Sequence, residues 1–191
     1  AGGESGIGEP VTTSDGVVRG DTVHVDVVDR GGNMVAAMPS GGWLQSSPVM
    51  PELGFGLGTR LQMAWLEPGL PNSLAPRKRP RTTLSPTLIM RDGRPVLACG
   101  SPGGDQQDQW QLVILLHWLA DGANLQEAIE APSFHTSHFP SSFYPRASEP
   151  GHIVVEDRLG AGVIDDLARP GHVVERAGPW SLGRMWAVSR E

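Results

Sequence analysis

The chain has 191 residues, 39% hydrophobic and 19% charged, with 21 acidic against 15 basic side chains and a net charge of −6. That is enough apolar material for a buried core in one domain, and the acidic balance excludes both a domain that neutralises nucleic-acid phosphates and a highly charged disordered chain. The 25 glycines and 17 prolines lack a collagen period, so they predict frequent turns and shaped loops rather than long helical bundles, and no apolar run reaches the roughly 18 residues of a membrane-spanning helix.

Residues 1–21 are glycine-rich with few large apolar side chains and read as a leader or linker. From Thr22 to Asp29 polar and apolar residues alternate at period two, Arg30-Gly31-Gly32-Asn33 follows, and Met34–Ala37 completes a hairpin. The glycine- and proline-rich stretch from Pro39 to Pro80 holds Trp43 and Trp65, which predicts structured loops because large aromatics favour burial. Leu84–Met90 and Pro95–Cys99 flank Asp92-Gly93, the signature of a second hairpin. After Gly103-Gly104 a helix is expected over Asp105–Ala120, closed by Gly122, and a second over Leu125–Ala131, with Asn124 and Glu127 at capping-box spacing and Pro132 as its stop. The tail reads as a strand over His152–Glu156, a helix over about 161–169, and strands over His172–Arg176 and Arg184–Val188. Early hairpins with a mixed tail indicate an α+β or layered α/β/α domain.

No GxxxxGK(S/T) phosphate loop, HExxH zinc helix, EF-hand loop or GxSxG elbow is present. The single Cys99 excludes an internal disulfide and any multi-cysteine metal site, and its apolar strand indicates a buried thiol rather than a nucleophile. His135 and His138 form an HxxH pair in a proline-bounded loop, Pro132–Pro140, with no carboxylate at ligand spacing, which favours packing or hydrogen bonding over zinc. Arg77-Lys78-Arg79 with Arg81 reads as a solvated face. Gly100-Ser101-Pro102-Gly103-Gly104 runs straight into a helix, where unpaired N–H groups and the positive dipole end can hold an anion or a transient oxyanion, and where a plain strand-to-helix turn would look the same.

Three motifs in register carry a resemblance: Gly20-Asp21-Thr22-Val23-His24 leading into Val27-Val28-Asp29-Arg30-Gly31-Gly32-Asn33, then Arg79-Pro80-Arg81-Thr82-Thr83-Leu84-Ser85-Pro86-Thr87, then Gly100–Gly104. From about Gly20 to Glu191 the chain resembles the small-subunit half of the γ-glutamyltransferase (γ-glutamyltranspeptidase) family, and its transferase-like, cephalosporin-acylase-like branch in particular. The resemblance implies an N-terminal-nucleophile hydrolase, α+β with a four-layer αββα sandwich, cut from a precursor between Asp21 and Thr22. Residues 1–21 would be the leader or the end of the preceding large-subunit segment, and 22–191 the catalytic domain. A threonine hydroxyl is a weak nucleophile until a base takes its proton, and a freed α-amine on the same residue supplies that base.

The resemblance further implies roles position by position. Thr22 is the nucleophile, Ser40 hydrogen-bonds it, and Gly103 and Gly104 form the oxyanion hole. Thr82 and Thr83 hold a substrate carboxylate, and Gln62 helps bind an α-amino group. Two departures stand out: Trp65 occupies the place of the family's ammonium-binding aspartate, and Gly42 that of an asparagine. A buried ammonium without its counter-charge is costly, so γ-glutamyl recognition is expected to be weakened or changed, with Trp65 and Trp43 lining a more apolar acyl pocket. The activity implied is hydrolysis or transfer of an acyl group from a small-molecule amide or peptide, with no metal or organic cofactor and the large-subunit half as partner. Nucleic acid is not expected as a partner. Cleavage of a carbon–carbon bond by the same nucleophile, as in natural-product relatives of the family, is the enzymatic alternative. An uncleaved, non-catalytic homologue is the other. A missing partner half also predicts exposed apolar surface.

Overall fold

The structure is a computed structural model that describes residues 11–12, 18–19, 22–41 and 49–190. The expectations for Asp21, Gly42, Trp43 and most of the leader lie outside the described residues. Ahead of Thr22, β1 (Val11–Thr12) pairs antiparallel with β2 (Val18–Arg19).

The first predicted hairpin is β3 (Val25–Val28) against β4 (Met34–Ala37), in register from Val25 opposite Ala37 to Val28 opposite Met34. Its turn is closed by the Asn33 backbone N–H and side-chain amide, which donate to the Asp29 carboxylate at 2.8 and 2.7 Å. The loop region that follows has little regular structure: β5 (Val49–Met50) pairs with β6 (Phe55–Gly56), a 3-10 turn spans Arg60–Met63, and Trp65 bridges to Ser73. The second hairpin, β7 (Thr87–Arg91) with β8 (Arg94–Gly100), turns at Asp92 and Gly93 with φ of 50° and 76°. Two consecutive left-handed residues match the right-handed twist of the flanking strands, which is why an Asp-Gly pair sits there.

A 3-10 turn over Gly104–Gln106 precedes α1 (Gln107–Leu119), so the regular helix begins two residues later than the sequence suggests. The capping box of α2 (Leu125–Glu130) is formed as expected: Glu127 N–H donates to Asn124 Oδ1 at 3.0 Å and Asn124 N–H to Glu127 Oε2 at 2.9 Å. The chain ends with β9 (Phe134–Thr136), β10 (His152–Glu156), α3 (Ala161–Ala168), β11 (Val173–Ala177) and β12 (Trp186–Ser189). The expectation of a plain loop over Pro132–Pro140 is corrected by β9. Its three residues are too few to show a period, and they become a strand by pairing antiparallel with β10.

β8 explains the layering. It is the central strand of the sheet β12-β8-β7, and its residues alternate between two covered faces. Leu97 and Cys99 join the core formed with Ile114 of α1, Ala128 of α2 and Met185, and Ile89, Leu115, Trp118 and Leu125 pack around it. On the opposite face Ala98 and Gly100 are buried, and the β3–β4 hairpin packs there, touching β7, β8 and β12. Helices, sheet and hairpin thus stack in that order, an α+β arrangement in which the hairpin carrying Thr22 at its root lies against the strand that runs into Gly103-Gly104. A second sheet, β11-β10-β9, stands beside this stack, with β10 and β11 parallel and joined through α3. The outward face of the first hairpin is bare: Val25, Val27 and Val35 are 45%, 51% and 53% exposed. No described helix is long and apolar enough to cross a membrane.

His135 in β9 is buried and meets Trp110 of α1 edge-on, with ring centroids 5.5 Å apart. Burial holds its pKa below the usual 6.5, against a weaker upward pull from Glu175. The unfolded chain therefore binds the proton more readily than the folded one, so stability is intact above pH 6.5 and is lost as pH falls below it. The unfolding midpoint is expected to fall between pH 7.5 and 5, and His135→Gln to flatten that dependence, in thermal melts recorded at stepped pH.

Candidate active site

The period-two alternation that starts at Thr22 has a structural outcome: Thr22 and His24 are buried and Asp26 half-buried, while Val23, Val25 and Val27 face out. The pairing of the hairpin continues past its regular strands through Val23 N–H donating to Pro39 C=O at 3.2 Å. This brings Ser40 opposite Thr22, whose hydroxyl donates to Ser40 Oγ at 3.0 Å. The two residues that the resemblance pairs are thus joined by a direct hydrogen bond across eighteen positions.

Gly103 and Gly104 take φ values of 130° and 56°, and the 3-10 turn that leads into α1 starts at Gly104. The first N–H groups of a helix have no carbonyl behind them, so the turn offers donors and the positive dipole end together. Gly103 has no room for a side chain, since a Cβ there would lie 2.2 Å from Cζ3 of Trp110. Ser101, fully buried, donates to its neighbour's Pro102 carbonyl at 2.6 Å and stiffens the approach to the turn.

The other expected substrate residues sit on loops tied to this turn. The Thr82-Thr83 segment is anchored just downstream, where Ser85 meets both Gln107 and Gln111 of α1: its hydroxyl donates to Gln107 Oε1 at 3.2 Å, and Gln111 Nε2 donates to its carbonyl at 2.9 Å. Thr82 Oγ1 accepts from Leu84 N–H at 3.1 Å, whereas Thr83 Oγ1 is buried with no partner among the described residues. Gln62, in the 3-10 turn, likewise keeps its Nε2 buried and unpartnered among the described residues. Buried side-chain atoms without a partner also occur elsewhere among the described residues, as at Trp110 Nε1 and Arg158 Nε.

Trp65 carries a cation on its face. The Arg146 guanidinium lies over its ring, 3.9 Å from the centroid, and donates to the carbonyls of Met63 and Ala64, each at 3.0 Å, and of Ser142 at 2.8 Å. Arg146 thereby binds the 63–65 loop to the 142–146 loop, which Asp105 in turn holds through Ser142 N–H at 2.7 Å and the Ser141 hydroxyl at 3.1 Å. Sequence reasoning overlooked Arg146 and Asp105 because their partners are distant in the chain. A cleft of about 760 Å³ opens beside this network, between Arg81, Asp105, Gln109, Phe139 and Glu149.

The remaining candidates resolve as structural groups. His138 Nδ1 accepts from Gly151 N–H at 3.0 Å, and no cluster of three or more His, Cys, Asp or Glu residues suits a metal among the described residues. The Cys99 thiol is buried and pushed up to about 11, first by burial and then by the nearby Asp26 charge, so it stays protonated at neutral pH. Asp26 is itself raised by burial, with His24 pulling the other way.

Comparison with known proteins bears on the whole of this arrangement. The family model described as Gamma-glutamyltranspeptidase matches residues 8–191. A glutathione hydrolase proenzyme of Bacillus subtilis (strain 168) is 31% identical over 173 residues, which are 90% of this chain and 27% of the relative. Among solved structures, LmbA2991HD is 61% identical with a TM-score of 0.81, covering 88% of this chain and 30% of that one. The gamma-glutamyltranspeptidase from Pseudomonas nitroreducens complexed with L-DON is 25% identical with a TM-score of 0.68, covering 88% of this chain and 89% of the matched chain. The chain thus spans about a quarter of the length of the curated relative, yet nearly all of that last solved chain.

Proposed function

Because the chain belongs to the γ-glutamyltranspeptidase family, we propose that it is the small-subunit portion of a self-cleaving precursor whose Thr22 attacks the carbonyl of an amide and forms an acyl-enzyme. The observation that carries this reading is the buried Thr22 hydroxyl held on Ser40 Oγ at 3.0 Å, on a strand packed against the one that enters the Gly103-Gly104 turn. In the continuous chain the Thr22 nitrogen is an amide and not basic. Attack of the Thr22 hydroxyl on the Asp21 carbonyl moves the acyl group from nitrogen to oxygen. Water then hydrolyses that ester, leaving Asp21 with a carboxylate and Thr22 with a free amine. In catalysis the amine takes the hydroxyl proton, the Gly103 and Gly104 N–H groups hold the oxyanion, and the proton passes to the leaving amine. Water or an acceptor amine resolves the acyl-enzyme. Gln62 and Thr83 offer their unpaired polar atoms to the acyl group, and Thr82 stands beside them.

The fold in this reading is the small-subunit half of a four-layer αββα N-terminal-nucleophile hydrolase. The preceding half of the precursor covers the bare outer face of β3–β4. Acyl specificity differs from γ-glutamyl: where the resemblance leads one to expect an ammonium-binding carboxylate, a tryptophan is capped by a guanidinium, which repels an α-ammonium. An uncharged or carboxylate-bearing acyl group suits this surface. The test is to express the full-length precursor and measure intact masses. A fragment beginning at Thr22 is expected, and a chain that stays uncut would sink the reading in favour of a non-catalytic homologue. Assaying a γ-glutamyl anilide against neutral-acyl anilides and a carbon-acid substrate then separates amide from carbon–carbon chemistry.

A further inference from the structure

The strand that carries Thr22 turns two more polar side chains inward, and neither takes part in the chemistry above. His24 Nε2 and Asp26 Oδ1 lie 2.8 Å apart with side chains 0% and 5% exposed. Burying a carboxylate and an imidazole costs free energy that apolar residues at the same two positions would not, so the pair is a poor choice for stability alone. The pair is otherwise sparsely held: His24 Nδ1 and Asp26 Oδ2 have no partner among the described residues. The orientation of the imidazole therefore rests on one hydrogen bond and on packing.

What the imidazole packs against is Gly100, the last residue of β8, three positions before Gly103. A Cβ on Gly100 would lie 2.3 Å from His24 Cε1, 2.5 Å from Nδ1 and 2.6 Å from Cε of Met38. The ring thus fills the place of a side chain at Gly100, between the strand that bears the nucleophile and the strand that delivers the oxyanion turn. We propose that the His24–Asp26 pair is a positioning device: Asp26 orients the imidazole, and the imidazole wedged on Gly100 sets the spacing between Thr22 and the Gly103-Gly104 turn. This rests on the reading of Thr22 as nucleophile. Misplacing reacting groups by about 1 Å is enough to cost on the order of 100-fold in rate.

The test uses the full-length precursor after self-cleavage, with phenylmethanesulfonyl fluoride as a small probe that needs no acyl specificity. Its labelling rate at Thr22 is followed by mass, and the melting temperature is measured alongside. Asp26→Leu, similar in shape but without the charge or the hydrogen bond, is expected to slow labelling about 10- to 100-fold while the melting temperature holds or rises. Asp26→Asn, which keeps an acceptor for Nε2, recovers part of the rate. Gly100→Ala, which displaces the ring, slows labelling to a similar degree, and combining it with Asp26→Leu adds little, because both remove the same constraint. Labelling of Asp26→Leu at the wild-type rate overturns the proposal. If that variant fails to fold, Gly100→Ala decides, a wild-type labelling rate again counting against the proposal. The wild-type label separates the two readings: wild-type protein that takes no label at Thr22 refutes the nucleophile, whereas labelling at Thr22 that ignores Asp26 refutes only the wedge.

Discussion

Thr22→Ala in the full-length precursor is expected to leave the chain uncut and to lower acyl transfer by at least about 10⁴-fold, to whatever the oxyanion turn and binding supply without a nucleophile. The substitution removes two groups at once. Without the hydroxyl nothing attacks the Asp21 carbonyl, and without that cleavage the Thr22 amine stays locked in a peptide bond. The two losses can be pulled apart by producing the segment from residue 22 onward as a separate chain alongside the preceding half. With threonine at its start that pre-cut chain should be active. With alanine it should remain dead, showing that the hydroxyl is needed beyond the cleavage step. Thr22→Ser keeps an oxygen 3.0 Å from Ser40 Oγ and is expected to retain both cleavage and turnover at a reduced rate. Intact masses and initial rates on the accepted anilide read out all three.

Gly103→Ala keeps its backbone N–H but moves it, and is expected to lower turnover by up to about 100- to 1,000-fold, the usual cost of an oxyanion donor put out of reach, and to destabilise the fold by roughly 2–4 kcal/mol. Two independent strains combine there. The φ of 130° is one that L side chains rarely adopt, and the new methyl would stand 2.2 Å from the Trp110 ring. That ring has little freedom to retreat, since His135 meets it edge-on from β9. A stability loss of this size corresponds to a melting temperature about 5–15 °C lower for a chain of this length. Relief of the clash by Trp110→Ala in the same chain should recover part of the stability but little of the rate, because the backbone strain at position 103 persists. Thermal melts and single-turnover rates on the processed protein separate the two contributions.

The parts of the fold that local chemistry dictates were legible in the sequence. Asp92-Gly93 adopts its double left-handed turn, Asn124 and Glu127 close their capping box, and the alternation from Thr22 onward sorts inward from outward side chains. β9 was not legible, because three residues carry no period and their strand character comes from β10. For the site, the motif register points to Thr22, Ser40 and the glycine pair, and a 3.0 Å hydrogen bond joins the first two. The stacking of Arg146 on the Trp65 ring was not legible, because it joins residues eighty-one positions apart. The same long range hid the wedge of His24 on Gly100, although the alternation had placed His24 on the face of Thr22.

The stack of Arg146 on Trp65 has a consequence for any redesign of acyl specificity in this chain. An aspartate written back at position 65 would meet the guanidinium already seated there and form an ion pair with it, leaving no charge to spare for an incoming ammonium. On the proposed reading, admitting an α-ammonium at this surface is expected to need positions 65 and 146, eighty-one apart, exchanged together, which binding of a γ-glutamyl anilide to the single and double variants would check. Exchanging Arg146 alone would also release the carbonyls of Met63 and Ala64 that it holds, each at 3.0 Å, and so loosen the loop that carries position 65.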